Sequence, residues 1–423
     1  MRADAWVRVP IGTGDPRFLT VPFIRTVLII ARTSGATDWL LDILPELLAD
    51  TRVQIVFTVE GEHSSVYHRG ARDLLSEIGA TEIPWSQALA STFDLIICPT
   101  HSATLDGLTG PLMVTPHGPG FGKHDSARPG PKLPVPNLPE SLANDPNFPA
   151  TTVLISHPEQ KALFAGRPDR VRLLVVGDPA YDRLVASRPL RGHFRRELGL
   201  HPTQRLAVLS STWGPTSQLA CYPSLALRLA GELALDDYRL AMIIHPNIWF
   251  GHSTWQLRLW LRRASDAGVL LVPPRGSTWR AVLVSADVLI ADHGSVGFYA
   301  AAIGTPIALA GFTHSELKPA SPLAELGRLA PALDLDTQLT PQLDALIAEH
   351  DPSRYEPVIQ RMVACAGESL SVTREAIYRV LRLDPPVELP RVLAVGPPSI
   401  SLPDISSHLV FASAVVATDD SDA

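Results

Sequence analysis

The stretch ADVLIADHGSVGFYAAAIGTPIAL, residues Ala286 to Leu309, places a polar cluster between two apolar halves. Its first half contains the apolar run VLI (288–290), which is typical of a fully buried parallel strand. Its second half is rich in alanine and predicts a helix over Val296–Ile303 that ends at Gly304 and Pro306. A strand, a Gly/Ser turn and a helix in this order direct free backbone N–H groups and the helix dipole toward an anion. A plain Ser/Gly helix cap explains the same residues, so the rest of the chain has to decide between the two.

Short apolar strands alternate with helical patterns along the whole chain. Candidate strands lie at 26–31, 53–59, 94–98, 112–115, 153–156 and 173–176, and then at 206–210, 240–244, 269–272, 288–290 and 307–309. Strands that alternate with helices predict a parallel sheet with helices on both faces and ligands at the carboxyl ends of the strands. We therefore predict an α/β protein with two doubly wound, Rossmann-like sheets.

The chain of 423 residues is too long for one ordinary core, so two domains are expected. The strand pattern restarts after Gly177, and an Arg-rich helix over Tyr181–Pro202 is expected at the boundary. We predict an N-terminal, acceptor-side domain over residues 1–180, a C-terminal, nucleotide-donor domain over 181–383 and a Pro-rich tail over 384–423. Residues 118–149 form a Pro-rich insertion of a length that is usually functional or disordered.

The composition limits the class of protein. Hydrophobic residues make up 46% and charged residues 19% of the chain, which is typical of a well-buried globular protein. A formal net charge of −7 argues against general nucleic-acid binding. The three cysteines are widely spaced and indicate neither a metal pair nor a disulfide framework. With no apolar run as long as a membrane span and no signal-peptide core, we expect a soluble, cytoplasmic protein.

Polar residues follow nearly every predicted strand. In the second unit these are Ser211-Thr212-Trp213, His245-Pro246, Pro274-Arg275-Gly276 and Asp292-His293-Gly294-Ser295, and in the first Thr33-Ser34-Gly35, Pro99-Thr100-His101 and His117-Gly118. Two facing α/β units leave a cleft between the carboxyl edges of their sheets. We expect these side chains to line that cleft.

The order of these pieces resembles the GT-B glycosyltransferase fold, and within it the CDP-glycerol glycerophosphotransferases that build teichoic-acid polymers. The residues that carry the resemblance span roughly 110 to 310 and are His117-Gly118 with Lys123, the G-x-P-x-x-D-x-L pattern from Gly177 to Leu184, Thr212-Trp213, His245-Pro246, and Ala286 to Val296 followed by Gly304 and Pro306. Two positions depart from the family. Gly294 stands where the family has a serine. Tyr299 stands where it usually has an acid, and in GT-B enzymes an acid in that neighbourhood commonly holds the donor's ribose hydroxyls.

The resemblance implies roles for individual side chains. His117 is the candidate general base that takes a proton from the acceptor hydroxyl. His245 is expected to donate to a phosphate oxygen of the donor, and Ser295 with the amides of Gly294 and Val296 to meet the diphosphate. The remaining candidates for donor binding are Ser211, Thr212, Arg275 in the base pocket, and Asp292, which is expected to brace the turn. The plainer readings are a loop residue for His117 and Lys123, a strand-end cap for His245 and a surface residue for Arg275.

Three functions fit these residues. The first is a transferase that moves a glycosyl or polyol-phosphate group from a nucleotide-activated donor to a hydroxyl acceptor. The second is a nucleotide-sugar 2-epimerase, which shares the architecture but needs acids in the first domain, where Pro99-Thr100-His101 offers none. The third is a catalytically degenerate GT-B protein that binds a nucleotide or a partner protein; Gly294 and Tyr299 favour it, while His117, His245 and Ser295 argue against it.

The transferase hypothesis defines the expected partners. They are a CDP- or UDP-linked donor and a hydroxyl acceptor, with no tightly bound cofactor. No metal is expected, because no DxD-type carboxylate cluster is predicted at the cleft. The resemblance implies a bacterial enzyme, and teichoic-acid polymerases work at the membrane. The sequence shows no basic amphipathic helix, which leaves open either a soluble acceptor or a weak peripheral association with a membrane.

Overall fold

The computed structural model describes residues 6–7, 21–59, 66–99, 105–115, 118, 122–123, 150–164, 169, 171–274 and 276–400. The first sheet contains β1 (Arg25–Ala31), β2 (Val53–Val59), β3 (Leu95–Cys98), β4 (Leu112–Val114), β5 (Thr151–Ile155) and β6 (Val171–Val175). These strands are all parallel, in the order β2-β1-β3-β4-β5-β6. The central strands β1, β3, β4 and β5 consist of residues that are largely buried on both faces, as expected for a sheet covered by helices, whereas the edge strand β6 is mostly half-buried.

The second sheet contains β7 (Arg205–Ser211), β8 (Tyr238–Ile244), β9 (Leu270–Val272), β10 (Val288–Ala291) and β11 (Ile307–Leu309). It is also fully parallel, in the order β11-β10-β7-β8-β9. Every predicted strand is therefore present, and the predicted α/β class with two doubly wound sheets is confirmed.

Helices cover both sheets. They are α1 (Ser34–Leu48), α2 (Val66–Glu77), α3 (Trp85–Leu89), α4 (Pro179–Ser187), α5 (Arg191–Glu197), α6 (Gln218–Cys221), α7 (Leu225–Glu232), α8 (Pro246–Gly251), α9 (Thr254–Trp260), α10 (Arg262–Asp266), α11 (Thr278–Ser285), α12 (Val296–Ile303), α13 (Pro322–Leu329), α14 (Leu339–Ala348), α15 (Glu356–Met362) and α16 (Ser369–Leu381). No helix among the described residues is both long and apolar enough to cross a membrane.

The helix predicted over Tyr181–Pro202 differs from the structure. It is divided into α4 and α5 by a 3₁₀ turn at Arg188–Leu190. Pro189 explains the break, because it has no N–H to continue the α-helical hydrogen bonds.

The chain passes between the two sheets at two adjacent places. At the first, Gly177 has a φ of +77°, and a Cβ there would lie 2.2 Å from the carbonyl oxygen of Ala364 at the second. The buried carboxylate of Asp182 accepts from the backbone N–H of Gly367 (2.7 Å) and of Ser369 (3.1 Å). The two passages are therefore fixed to each other.

Helix α16 lies in the 181–383 segment but packs against α1 of the first sheet. Tyr378 donates its hydroxyl hydrogen to Asp50 (3.0 Å), and the Arg25 side chain donates to the carbonyl of Leu381 (2.7 Å). The C-terminal part of the chain thus returns to the first sheet after the second is complete.

A buried charge cluster holds the two α/β units together. Arg280 of α11, only 2% exposed, contacts the carboxylates of Asp42 and, at 3.8 Å, Asp38, both on α1. Arg183 of α4 also pairs with Asp42. One hydrophobic cluster continues from one face of the first sheet to one face of the second around these charges. The two units therefore pack as closely as parts of one core.

Candidate functional site

The carboxyl ends of the central strands of the second sheet bring the predicted polar residues together. Strand β7 lies between β10 and β8, so the turns that begin at Thr212, His245 and Asp292 share one edge. The N-terminus of α1 faces this edge from the first domain, since the hydroxyl of Ser34 donates to the carbonyl of Pro274 (3.3 Å). The site therefore lies where the two domains meet.

Asp292 fixes the turns of this edge. Its Oδ2 accepts from the backbone N–H of Thr212 (2.7 Å) and Gln218 (2.9 Å), and its Oδ1 accepts from that of Gly294 (2.9 Å). Burial raises the pKa of Asp292, while these three donors and the nearby Lys123 act to lower it. The carboxylate is thus satisfied by backbone donors inside the protein, which agrees with the expectation that Asp292 braces the turn.

The bonds of Asp292 also change the expectation for Gly294. The resemblance implies that the Gly294 amide meets the diphosphate, but in the structure this amide donates to Asp292. A side chain at this position would also be crowded, because a Cβ on Gly294 would lie 3.0 Å from Oδ1 of Asp292. The absence of the second serine of the family pattern at Gly294 is therefore consistent with the packing of this turn.

The first turn of α12 remains open to a ligand. Ser295 caps this helix with its backbone, is exposed, and makes no side-chain cap bond. The N–H groups of Val296 and Gly297 have no acceptor within the helix, because the first turn of any helix lacks partners. An exposed hydroxyl and amides without intrahelical acceptors, at the positive end of a helix, favour an anion.

Lys123 reaches this edge from the first part of the chain. Its Nζ donates to Oγ1 of Thr212 (3.2 Å), and its backbone neighbour Gly122 accepts from the N–H of Lys318 (2.9 Å). Burial lowers the pKa of the Lys123 ammonium, and Asp292 and Glu316 oppose this effect. Among the described residues Lys123 forms no ion pair, so its charge has only a neutral hydroxyl as a direct partner.

His293 lies in the turn after β10, close enough to Lys123 to feel its charge. It is 2% exposed, and its Nδ1 has no hydrogen-bond partner among the described residues. Burial, together with the charge of Lys123, lowers the pKa of His293 to about 4. The ring is therefore neutral at physiological pH and adds no positive charge to the site.

His245 follows β8 and caps α8. Its Nδ1 accepts from the backbone N–H of Asn247 (3.1 Å), which requires a lone pair on that nitrogen. A neutral ring in this arrangement carries its proton on Nε2 and can donate from there. Trp213 packs against the ring at a centroid distance of 6.1 Å. The predicted capping role of His245 is thus observed, and it is compatible with donation of a hydrogen bond from Nε2.

The remaining predicted residues either bond within the protein or lie outside the described residues. Ser211 is buried, donates its hydroxyl hydrogen to the carbonyl of Thr212 (2.9 Å) and accepts from the N–H of Leu219 (3.0 Å), so it stabilises its own turn. Tyr299 points into the core, where its hydroxyl donates to Asp178 (2.8 Å). His117 and Arg275 lie outside the described residues. No cluster of three metal-ligating side chains occurs in the described ranges.

Sequence reasoning missed the contact that Lys123 makes. The resemblance names Lys123 beside His117-Gly118 but gives it no role beyond its loop. A second signal was its rarity, since the chain has few lysines and most of its positive charge is arginine. Its contact with Thr212, 89 positions away, appears only in the folded protein.

The sequence matches no family model and no curated protein. Solved structures do match. The wall teichoic acid polymerase TagF aligns with a TM-score of 0.56 and 12% identity over 84% of this chain and 89% of that chain. A histidine variant of the same polymerase soaked with CDPG gives a TM-score of 0.53 and 12% identity over 85% and 89%. A putative UDP-N-acetylglucosamine 2-epimerase from Listeria monocytogenes gives 0.50 and 12% identity over 86% and 98%. This similarity, together with the two facing parallel sheets, shows that the chain has the GT-B fold.

Proposed function

We propose that this protein is a transferase that moves a glycosyl or polyol-phosphate group from a nucleotide-activated donor to a hydroxyl acceptor. The observation that carries the proposal is the meeting of Lys123 with Thr212 beside the turn that leads into α12. Among the described residues the half-buried ammonium of Lys123 hydrogen-bonds to the Thr212 hydroxyl, and removing an ammonium from water is costly unless anions compensate it. A donor diphosphate supplies that anion between the lysine and the open first turn of α12.

The same arrangement supports the chemistry of transfer. When the bond between the transferred group and the nucleotide breaks, negative charge develops on the departing phosphate. We assign the stabilisation of that charge to Lys123, Ser295 and the amides of Val296 and Gly297, because a preorganised set of donors lowers the energy of a developing charge. His245 contributes the Nε2 proton as a hydrogen bond to a phosphate oxygen. The base that takes the proton of the acceptor hydroxyl is proposed to be His117.

The similar structures support this proposal at the level of the fold. One of them is a wall teichoic acid polymerase that was soaked with CDPG, and another is a putative nucleotide-sugar epimerase. The names of both proteins point to nucleotide-linked ligands. We therefore propose a CDP- or UDP-linked donor for this chain as well.

Calorimetry with CDP, UDP, CDP-glycerol and UDP-N-acetylglucosamine tests the site. Lys123→Met and Ser295→Ala each remove a hydrogen bond to a charged group, which is worth about 1.5–3 kcal/mol, or roughly a ten- to hundredfold loss of affinity. The matched control is Lys161→Met. Lys161 is an exposed lysine on the turn Pro158–Phe164, and its removal should leave nucleotide affinity unchanged.

The outcomes separate the three functions. Release of free nucleotide only when a hydroxyl acceptor is added supports the transferase. Conversion of a nucleotide-sugar to its 2-epimer without acceptor would assign the chain to the epimerase alternative, and binding without turnover would make it a binding protein. If the wild type binds none of these nucleotides, or if Lys123→Met and Ser295→Ala bind as the wild type does, the proposed diphosphate site is wrong.

A further inference from the structure

The turn after β7 presents a large aromatic side chain beside the proposed diphosphate site. Trp213 directly follows Thr212, whose hydroxyl accepts from Lys123, and Trp213 is 49% exposed. Its ring lies against the ring of His245, with a centroid distance of 6.1 Å and an angle of 40° between the ring planes. The indole therefore lies next to two groups to which the phosphates of the donor are assigned.

The backbone on both sides of Trp213 is held in place. The N–H groups of Thr212 and Gln218 both donate to Oδ2 of Asp292, so one buried carboxylate ties the two ends of this turn together. Gly214, the residue after the tryptophan, has a φ of +99°, a conformation that favours glycine. A side chain that is already oriented in the free protein loses little conformational entropy when a ligand binds it.

Contacts with the first domain lie on two sides of this indole. On one side, Lys123 reaches the residue that precedes Trp213. On the other side, a Cβ on Gly35 in the first turn of α1 would lie 3.9 Å from Cγ of Pro246 at the start of α8. The exposed indole therefore lies where the two domains meet, which is where a donor and an acceptor have to come together.

We propose that Trp213 packs against a sugar ring of the donor, so that the transferred group is a glycosyl group rather than an acyclic polyol phosphate. A pyranose presents a face of C–H groups, which can cover the apolar face of an indole while the sugar hydroxyls stay hydrated. Glycerol has no such face, and a phosphate is repelled by the negative face of an aromatic ring. The inference rests on the proposed diphosphate site and names the class of group that is bound beside it.

Calorimetry can separate the contribution of the sugar from that of the nucleotide. Kd is measured for UDP, UDP-glucose, UDP-galactose and UDP-N-acetylglucosamine, and CDP with CDP-glycerol forms the acyclic comparison. At least one UDP-sugar should bind the wild type roughly tenfold more tightly than UDP, as expected when about 50 Å² of apolar surface is covered. CDP-glycerol and CDP should bind alike. Trp213→Ala should abolish the difference between UDP-sugar and UDP without changing the Kd of UDP, and Trp213→Phe should keep part of it.

The matched control is Trp255→Ala, because Trp255 is a 50% exposed tryptophan on α9, outside this turn. This variant should keep the full difference between UDP-sugar and UDP. Equal affinity of the wild type for UDP and every UDP-sugar would overturn the inference, and so would a difference that Trp213→Ala retains. An equal loss of affinity for UDP and for the UDP-sugars in Trp213→Ala would overturn it in favour of stacking on the base.

These three results leave the proposed diphosphate site intact, since UDP still binds the wild type in each of them. If the wild type binds none of these nucleotides, both the diphosphate site and the sugar contact of Trp213 are wrong.

Discussion

Replacing Arg280 by methionine tests whether the buried charges hold the two domains together. Methionine has a similar length, so the change removes the guanidinium while largely filling its space. It leaves Asp38 and Asp42 of α1 facing an apolar side chain in a region where Arg280 is 2% exposed. Removing one partner of a buried ion pair costs about 3–5 kcal/mol. Because Arg183 still pairs with Asp42, we expect the lower end, about 3 kcal/mol.

Urea unfolding followed by tryptophan fluorescence measures this cost. With an m-value of about 3 kcal/mol/M, the midpoint should fall by roughly 1 M. Arg196→Met, on the exposed side of α5, is the control and should leave the midpoint unchanged. Adding Asp38→Asn to Arg280→Met should restore part of the loss, because it removes a carboxylate whose main counter-charge is gone. An unchanged midpoint in Arg280→Met would refute the view that these charges stabilise the contact between the domains.

Three further predictions use the same unfolding measurement. Burial raises the pKa of Asp38 from 3.8 to about 6. The contribution of Asp38 to the free energy of unfolding is therefore present at low pH and is lost as the pH rises from about 4 to 6. Asp38→Asn should raise the urea midpoint at pH 7.5 and have little effect on it near pH 4. Burial lowers the pKa of His293 from 6.5 to about 4, so the contribution of its neutral ring to stability is present above pH 6.5 and is lost as the pH falls toward 4. Over that pH range the urea midpoint of His293→Gln should fall less than that of the wild type. An equal fall in both proteins would contradict the lowered pKa of His293. Gly177→Ala should lower the midpoint at every pH, since a methyl group there meets the Ala364 carbonyl at 2.2 Å with φ at +77°, and a normal midpoint would show that the two chain passages can separate easily.

The strands could be predicted because their sequence pattern is local. Each one is a run of apolar residues long enough for a strand and bounded by turn residues, and burial on both faces requires this composition. The helix Val296–Ile303 was predicted with its observed ends for a similar reason, since Gly304 adopts the left-handed conformation that ends it. The fold class and the positions of Thr212, His245 and Ser295 after their strands follow from these local patterns.

The contacts between those strands depend on the tertiary structure. The order β11-β10-β7-β8-β9 brings Asp292 to the backbone of Thr212 and Gln218, which lie 80 and 74 positions earlier in the chain. Nothing in the local pattern around Asp292 specifies these partners. As a result, the sequence assigned the Gly294 amide to a ligand, whereas the folded protein uses it to hold Asp292.

The sequence by itself determined which residues form the strands, which turns follow them and that two parallel sheets result, because burial and helix capping act over a few neighbouring residues. The tertiary structure alone decided that Lys123 meets Thr212, that Arg280 lies between two carboxylates of α1, and that Tyr299 turns into the core toward Asp178. These pairs are far apart in the chain, and their energies come from excluding water around charged and polar groups. That exclusion exists only after both domains have packed against each other.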